Sequence, residues 1–331
     1  MSDNESDEEQ QQQMEKIFIC ADVWYGVFAF LGPFELGLKM ALISDRLDVL
    51  VDVHFKSRKW SFDSLRICRA NDGNGAEIVV KHSGERLPIS QGPIPGQVIG
   101  FKRIEISYVD QTVIKFLKHI LFDSSGTTVD IGTGEYESRS WEIIRKKIWP
   151  LLNDNICRLL SYFSTQFDGL RKISPAIPCN CPNLRSIHSM ALFPAFPADD
   201  NVNASSGRAL AKWLLTPRGD CLPKMLQCDF DSAKLEGLKM SFREASKPVN
   251  YIIRLSHPPS NVSFALKNNL TREQLTLRRL NNKLLLVRCP IGREEDKWTK
   301  WEKEAIEWEW THQWNRIAIN FNDRDIGDGM A

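Results

Sequence analysis

Residues 101–121 read FKRIEISYVDQTVIKFLKHIL, and this stretch decides the fold class. The apolar spacing of Phe101, Ile104 and Ile106 opens a strand over Arg103–Tyr108. An amphipathic helix over Gln111–Leu121 follows at once. The alternation then recurs down the chain. Further strands are predicted over Thr127–Ile131, Leu159–Phe163, Leu184–Ile187, Met225–Phe230 and Val249–Leu255, with helices over Ser140–Leu152, Ser206–Leu215 and Leu235–Ala245. Strands alternating with helices give an α/β fold.

The strands start roughly every 25 residues, with irregular gaps, which is the spacing of a βα repeat. The phrase Cys181-Pro182-Asn183-Leu184-Arg185-Ser186-Ile187 has the apolar spacing that opens a strand of a leucine-rich repeat. The region 101–322 therefore reads as an irregular leucine-rich-repeat-like α/β region. A plain α/β sheet built from right-handed crossovers is the other arrangement compatible with the pattern. Ser263–Leu266, Gln274–Leu280 and Leu284–Cys289 read as antiparallel strands of a mixed C-terminal sheet. A helix near Arg293–Trp310, a closing strand Arg316–Phe321 and a frayed polar tail over 323–331 complete the chain.

Working outward toward the N-terminus, residues 56–100 are rich in Gly and Pro and read as a β connector. Within it Leu65–Cys68 and Glu77–Val80 flank Asn71-Asp72-Gly73-Asn74-Gly75, a hairpin pattern. Residues 1–16 form an acidic, Gln-rich tail, expected to be disordered. That tail explains the charge of the chain. The 331 residues carry 43 basic and 42 acidic side chains, for a net +1. Residues 1–15 hold six of the acids and no base, so the remainder is mildly basic at +7. No basic block is dense enough for a nucleic-acid arm.

Other classes fall away on composition. No apolar run approaches the roughly 18 residues of a membrane span. The acidic start is unlike a signal peptide, so a cytoplasmic or nuclear protein with free thiols at its eight Cys is expected. No Gly-x-Ser-x-Gly, His-Glu-x-x-His or phosphate-binding loop is present. The nearest look-alike, Gly132-Thr133-Gly134-Glu135-Tyr136-Glu137, lacks a third Gly and carries two carboxylates that repel phosphate. Cys179 and Cys181 have the wrong spacing for a zinc knuckle. No catalytic residue, metal or cofactor is expected.

The segment 17–55 is different in kind. It runs Ile19-Cys20-Ala21-Asp22-Val23-Trp24-Tyr25-Gly26-Val27-Phe28-Ala29-Phe30-Leu31-Gly32-Pro33-Phe34-Glu35-Leu36, then Ala41-Leu42-Ile43-Ser44-Asp45-Arg46-Leu47-Asp48-Val49-Leu50. Asp22 or Ala21 can open one helix, Pro33 pre-sets a second, and Ser44 can cap a third. Three helices of about ten residues cannot bury so many large apolar side chains among themselves, and the surplus implies a partner.

The spacing of Val23-Trp24, Val27-Phe28, Phe30-Leu31, Pro33, Glu35-Leu36, Ile43-Ser44, Arg46-Leu47 and Leu50 resembles the F-box. The usual opening Leu-Pro is Ile19-Cys20 here, and Gly26 falls mid-helix, at a cost of about 1 kcal/mol relative to Ala. With the acidic start, the connector and the Trp-rich stretch near the C-terminus, the whole chain resembles an expanded nematode F-box family. That resemblance implies a non-enzymatic substrate receptor of an SCF-type (Skp–cullin–F-box) ubiquitin ligase. Its adaptor-binding residues would be Val23, Trp24, Val27, Phe28, Phe30, Leu31, Pro33, Leu36, Leu42, Ile43, Leu47 and Leu50, and its partners a Skp adaptor, a cullin scaffold and a target protein. Two rivals stand beside it: an F-box protein acting outside a ligase, and an α/β enzyme with its site at the strand ends.

Trp298, Trp301, Ala305 and Trp308 follow helical spacing, and Trp310 and Trp314 form a neighbouring stripe. They read first as a helix face packed on the last sheet and second as a target-binding surface, with Trp310 and Trp314 as its candidates. The charges between them, Glu302 and Glu304 included, read as a solvated face.

Overall fold

The computed structural model describes residues 19–32, 35–57, 60–89, 98–121, 126–161, 164–173, 175, 178–257, 259, 262–280, 282–307 and 314–330. The chain divides into two compact units. An N-terminal unit runs through Trp60 and also takes Pro95–Val98; a body comprises Ser61–Ile94 and Ile99–Ala331.

The N-terminal unit holds α1 (Ala21–Phe28), the π-helical turn α2 (Leu36–Met40) and α3 (Asp45–Ser57). Ser44 caps α3 as its sequence predicts: its Oγ accepts from the Leu47 backbone N–H at 3.3 Å. Asp45 and Asp48 in the first turn, with His54 and Lys56 in the last, complement the helix dipole.

Thirteen described strands form one mixed sheet. They are β1 (Trp60–Arg69), β2 (Ala76–Val80), β3 (Arg86–Pro88), β4 (Val98–Ile106), β5 (Thr127–Ile131), β6 (Ile156–Leu160), β7 (Ser186–His188), β8 (Lys224–Asp229), β9 (Tyr251–Ser256), β10 (Phe264–Asn268), β11 (Glu273–Leu280), β12 (Lys283–Pro290) and β13 (Arg316–Ile319). Their order is β10-β11-β12-β9-β8-β7-β6-β5-β13-β4-β1-β2-β3. From β5 to β9 the strands lie parallel and in chain order.

The helices of the body are α4 (Gln111–Ile120), α5, α6 (Ser164–Ile173), α7 (Ser206–Leu215), α8 (Ser232–Arg243) and α9 (Glu295–Glu307). Helix α5 begins as Ser138–Ile143 and continues through the π-helical Ile144–Ile148 into Trp149–Leu152.

Strand registers align two rows of alternating side chains across the middle of the sheet. Ile104, Ile317, Val129, Leu159, Ile187 and Leu226 share one face and are buried. Helices α7 and α8 lie on that side, where Lys224 reaches Trp213 and Arg288 stacks on Phe242. The other face carries Arg103, Arg316, Thr128, Arg158, Ser186 and Met225 in one row. Helix α9 packs on this second face, with Trp298 and Ala305 against Met225, Ile252, Leu285 and Val287.

Several expectations change. The residues predicted as a connector fold into β1–β3 at one end of the sheet, and the predicted hairpin forms, pairing Leu65 with Val80 through Arg69 with Ala76. Its turn uses Gly73 and Gly75 at φ +82° and +79°, a region that favours glycine. The closing strand does not close an edge. β13 inserts between β4 and β5, parallel to both, and its Ile317 and Ile319 are wholly buried. The strands expected as a C-terminal sheet extend the main sheet through the β12–β9 pair.

Within the tail, residues 323–330 are folded rather than frayed. Val109 pairs with Ile326, Gly327 N–H donates to the Val109 carbonyl, and Ile326 and Met330 are buried. Charges of α9 expected in solvent are engaged instead. Glu302 is buried against Arg278 and Arg293 at 2.6 and 2.8 Å, and Glu304 holds Arg185 through two bonds of 2.8 and 2.9 Å. A two-nitrogen arginine fork accounts for Glu304, and one bond from each of two arginines accounts for Glu302.

Candidate docking surface

The N-terminal unit has a small core. Phe28, Leu36, Leu47, Val51 and Phe55 are buried together, and Trp24, Tyr25, Leu31, Met40, Ala41 and Leu50 pack against them. Phe28 is its centre: Trp24, Tyr25 and His54 put their rings within 6.0, 6.2 and 5.4 Å of it. Arg46, in the first turn of α3, ties the residues before α1, its guanidinium donating to the Ile19 carbonyl at 2.5 Å. Gly32 N–H donates to the Glu35 carboxylate at 2.8 Å and shapes the turn after α1.

Geometry divides the twelve adaptor-facing candidates. Phe28 and Leu36 are 0% exposed and Leu47 is buried, so the local core claims them. Trp24, Leu31 and Leu50 support that core from its margin. Val23, Val27, Phe30, Leu42 and Ile43 are exposed, the last three at 91, 77 and 64%. Pro33 lies outside the described residues.

The helical period explains the split. Val23 and Val27 share a stripe of α1, while Trp24 and Phe28 occupy the next one. In α3 the core takes Leu47, Leu50, Val51 and Phe55 and leaves Val49 and Val53 exposed on the opposite side. Sequence reasoning missed Val49 and Val53, although their i, i+4 spacing half a turn away from Leu47 and Val51 was a usable signal. Leaving such side chains in water forgoes about 1.5–3 kcal/mol for each that a partner would bury fully.

Other sequence candidates fall elsewhere. Trp314 is exposed, and Trp310 lies outside the described residues. Trp298 is buried, and Trp301 packs edge-on against it with centroids 5.3 Å apart, so this part of the aromatic stripe serves the sheet. The Gly132–Glu137 turn leads from β5 into α5, and there the Asp323 carboxylate accepts from Ser140 N–H and Oγ at 2.7 and 2.8 Å. A carboxylate thus occupies the helix N-terminus.

All eight cysteines are free thiols, and burial pushes Cys181 up to about 12. Among the described residues no group of three or more His, Cys, Asp or Glu is placed to hold a metal ion. No described helix is long and apolar enough to cross a membrane.

No protein-family model, curated protein or solved structure matches the chain.

Proposed function

We propose that the N-terminal helical unit is an F-box-type docking module and that the chain is a substrate receptor of an SCF-type ubiquitin ligase. The observation that carries this reading is the exposure of Val23, Val27, Phe30, Leu42 and Ile43 on a unit whose own core is already complete. A helical surface of this composition suits a groove or helix pair on a partner. The motif spacing makes a Skp adaptor that partner and a cullin its scaffold. The α/β region, read as leucine-rich-repeat-like, holds the target. The receptor performs no bond chemistry of its own; it supplies proximity between a target lysine and the ubiquitin carrier.

The test is co-purification of the full chain with a Skp adaptor and cullin. Phe30→Asp combined with Leu42→Asp is expected to abolish capture while the melting temperature stays within about 2 °C of the parent, since both side chains are exposed. Capture undiminished by that double change, or no capture by the parent where another F-box protein binds, overturns the reading.

A further inference from the structure

A cleft of about 590 Å³ opens in the body beside α8, on the side of the sheet that α7 and α8 cover. That is the size of a ligand pocket rather than of a packing gap. Helix α8 gives it one face: Gly237, Met240 and Ser241 recur at helical spacing, and Glu244 caps the helix in the same row. Phe196 and Pro197 stand across from Gly237. Ser246, Lys247 and Val249 follow the end of α8, and Arg288 of β12, 1% exposed, also lines the cleft.

The walls are held from outside. Arg208 donates through Nε to the Pro197 carbonyl at 2.8 Å, and Ala195 N–H donates to the Gly207 carbonyl at 2.9 Å. At the end of α8, Asn268 Nδ2 donates to the Phe242 and Ala245 carbonyls at 2.9 and 3.0 Å. The buried Arg288–Glu273 pair fixes the segment beyond: Arg288 donates to the Lys247 carbonyl at 3.1 Å, and Glu273 accepts from Val249 N–H at 2.8 Å. The cleft is shaped before anything enters it, which lowers the cost of binding.

Its two ends differ in chemistry. Gly237, Met240, Phe196 and Pro197 make an apolar end, where Met240 is 57% exposed while α8 buries Leu235, Leu238 and Phe242. Ser241, Glu244, Ser246 and Lys247 make a polar end. Glu273 already answers the charge of Arg288, so the polar end offers a ligand one carboxylate, one ammonium and two hydroxyls.

We infer that this cleft takes a short extended segment of polypeptide, with an apolar side chain seated at the Met240 end. Peptide groups carry no net charge and need acceptors as well as donors, which Glu244, Lys247 and the two serines supply together. A fatty carboxylate would instead bring a second anion beside Glu244. From Gly237 to Glu244 the helix rises about 10 Å, a length that three extended residues span. Met240, unbranched and flexible, adapts to anchors of different shape. The proposed function makes a target protein the source of the segment, and the inference rests on that reading for the source alone.

The experiment titrates the full chain, without adaptor, in a calorimeter with three probes: the capped tetrapeptide Leu-Ser-Leu-Ser, capped tetraserine and decanoate. The two leucines lie on one side of an extended chain. Saturable binding of the leucine peptide is expected, about tenfold or more tighter than of the other two. Gly237→Leu fills the apolar end, since a Cβ at that position already lies 3.8 Å from Phe196 Cβ, and should weaken binding about tenfold or more. Met240→Asp, an exposed change that sets a charge in the apolar end, should do the same if Gly237→Leu perturbs α8. Absence of saturable binding, equal binding of tetraserine, or indifference to both substitutions overturns the inference. Decanoate binding as tightly overturns the peptide and assigns the cleft to an amphiphile. Adaptor capture is measured on the same preparations: peptide binding lost with capture intact sinks the cleft, and capture lost with peptide binding intact sinks the docking reading.

Discussion

The body of the protein buries charge, whereas its N-terminal unit exposes grease. In the body Arg288 and Glu273 are each 1% exposed and meet at 2.7 Å, and Arg316 meets Asp130 at the same distance on the sheet. The ion pair within α3, Lys56 with Asp52, is two-thirds exposed at both ends. Eight large apolar side chains that the described residues leave exposed fall between Ile19 and Val53, against seven spread over the body. The body is large enough to close a core and to hold paired charges inside it. The N-terminal unit closes a core around Phe28 and still has apolar residues left over. The exposed apolar set of the N-terminal unit is the surface to which the proposed function assigns a partner.

The sharpest way to break the first half of that comparison is at Arg288. Its guanidinium donates to Glu273 through Nη2 and Nε, and to the Lys247 carbonyl, while stacking on Phe242. Arg288→Met strands a buried carboxylate and is expected to cost about 3–5 kcal/mol in urea denaturation. Adding Glu273→Gln removes the stranded charge and should recover most of that loss. A double variant as unstable as the single one would show that the arginine acts through shape rather than charge.

The second half is tested by two phenylalanines two residues apart. Phe28→Ala removes the centre of the small core, and a loss of about 3–5 kcal/mol in that unit is expected, read as loss of amide-exchange protection in α1 and α3. Phe30→Ala should shift stability by less than about 0.5 kcal/mol, yet weaken adaptor capture. If Phe30→Ala destabilises the unit as Phe28→Ala does, the exposed set is part of the fold and the docking surface is lost as an idea.

A charge-free buried group supplies a pH test confined to the body. His188, at the C-terminal end of β7, is buried, and burial pushes its imidazole down to about 4. The unfolded imidazole titrates near 6.5, so between pH 6.5 and 4 the unfolded chain binds the extra proton. Stability therefore falls as pH drops through that window, by on the order of 2–3 kcal/mol, and His188→Gln should flatten the decline there. A pH profile unchanged by that substitution would mean the imidazole charges freely in the folded body.

The sequence showed which residues form elements better than it showed where those elements meet. Helix α7 spans the predicted Ser206–Leu215 because Ser205 caps it, its Oγ accepting from Arg208 N–H. Helix α6 was missed because Gly169 interrupts its pattern. The glycine is there because a Cβ would collide with the Trp141 ring, a contact between distant segments that no local period carries. The insertion of β13 between β4 and β5 is equally non-local. At the docking surface, apolar surplus was legible from residue counts alone. The division of that surplus into core and exposed sets was legible only in part: the helical period separates Val23 and Val27 from Trp24 and Phe28, but Phe30 lies beyond α1, where no period applies.

The smallest effect concerns the weakest point of the N-terminal unit. Gly26 sits inside α1, and a Cβ built there meets nothing within 4 Å. Its backbone is helical, so Gly26→Ala fits without strain and trims the freedom of the unfolded chain. A gain of about 0.5–1 kcal/mol in the helical unit is expected, with no change in the melting of the body, since none of the body's elements includes the residue. Val23 and Val27 flank it on the helix and should stay exposed. Adaptor capture by Gly26→Ala should therefore equal or exceed that of the parent. If the more stable helix captures less, the exposed side chains reach their partner only when α1 loosens, and the docking surface is formed on binding rather than displayed in advance.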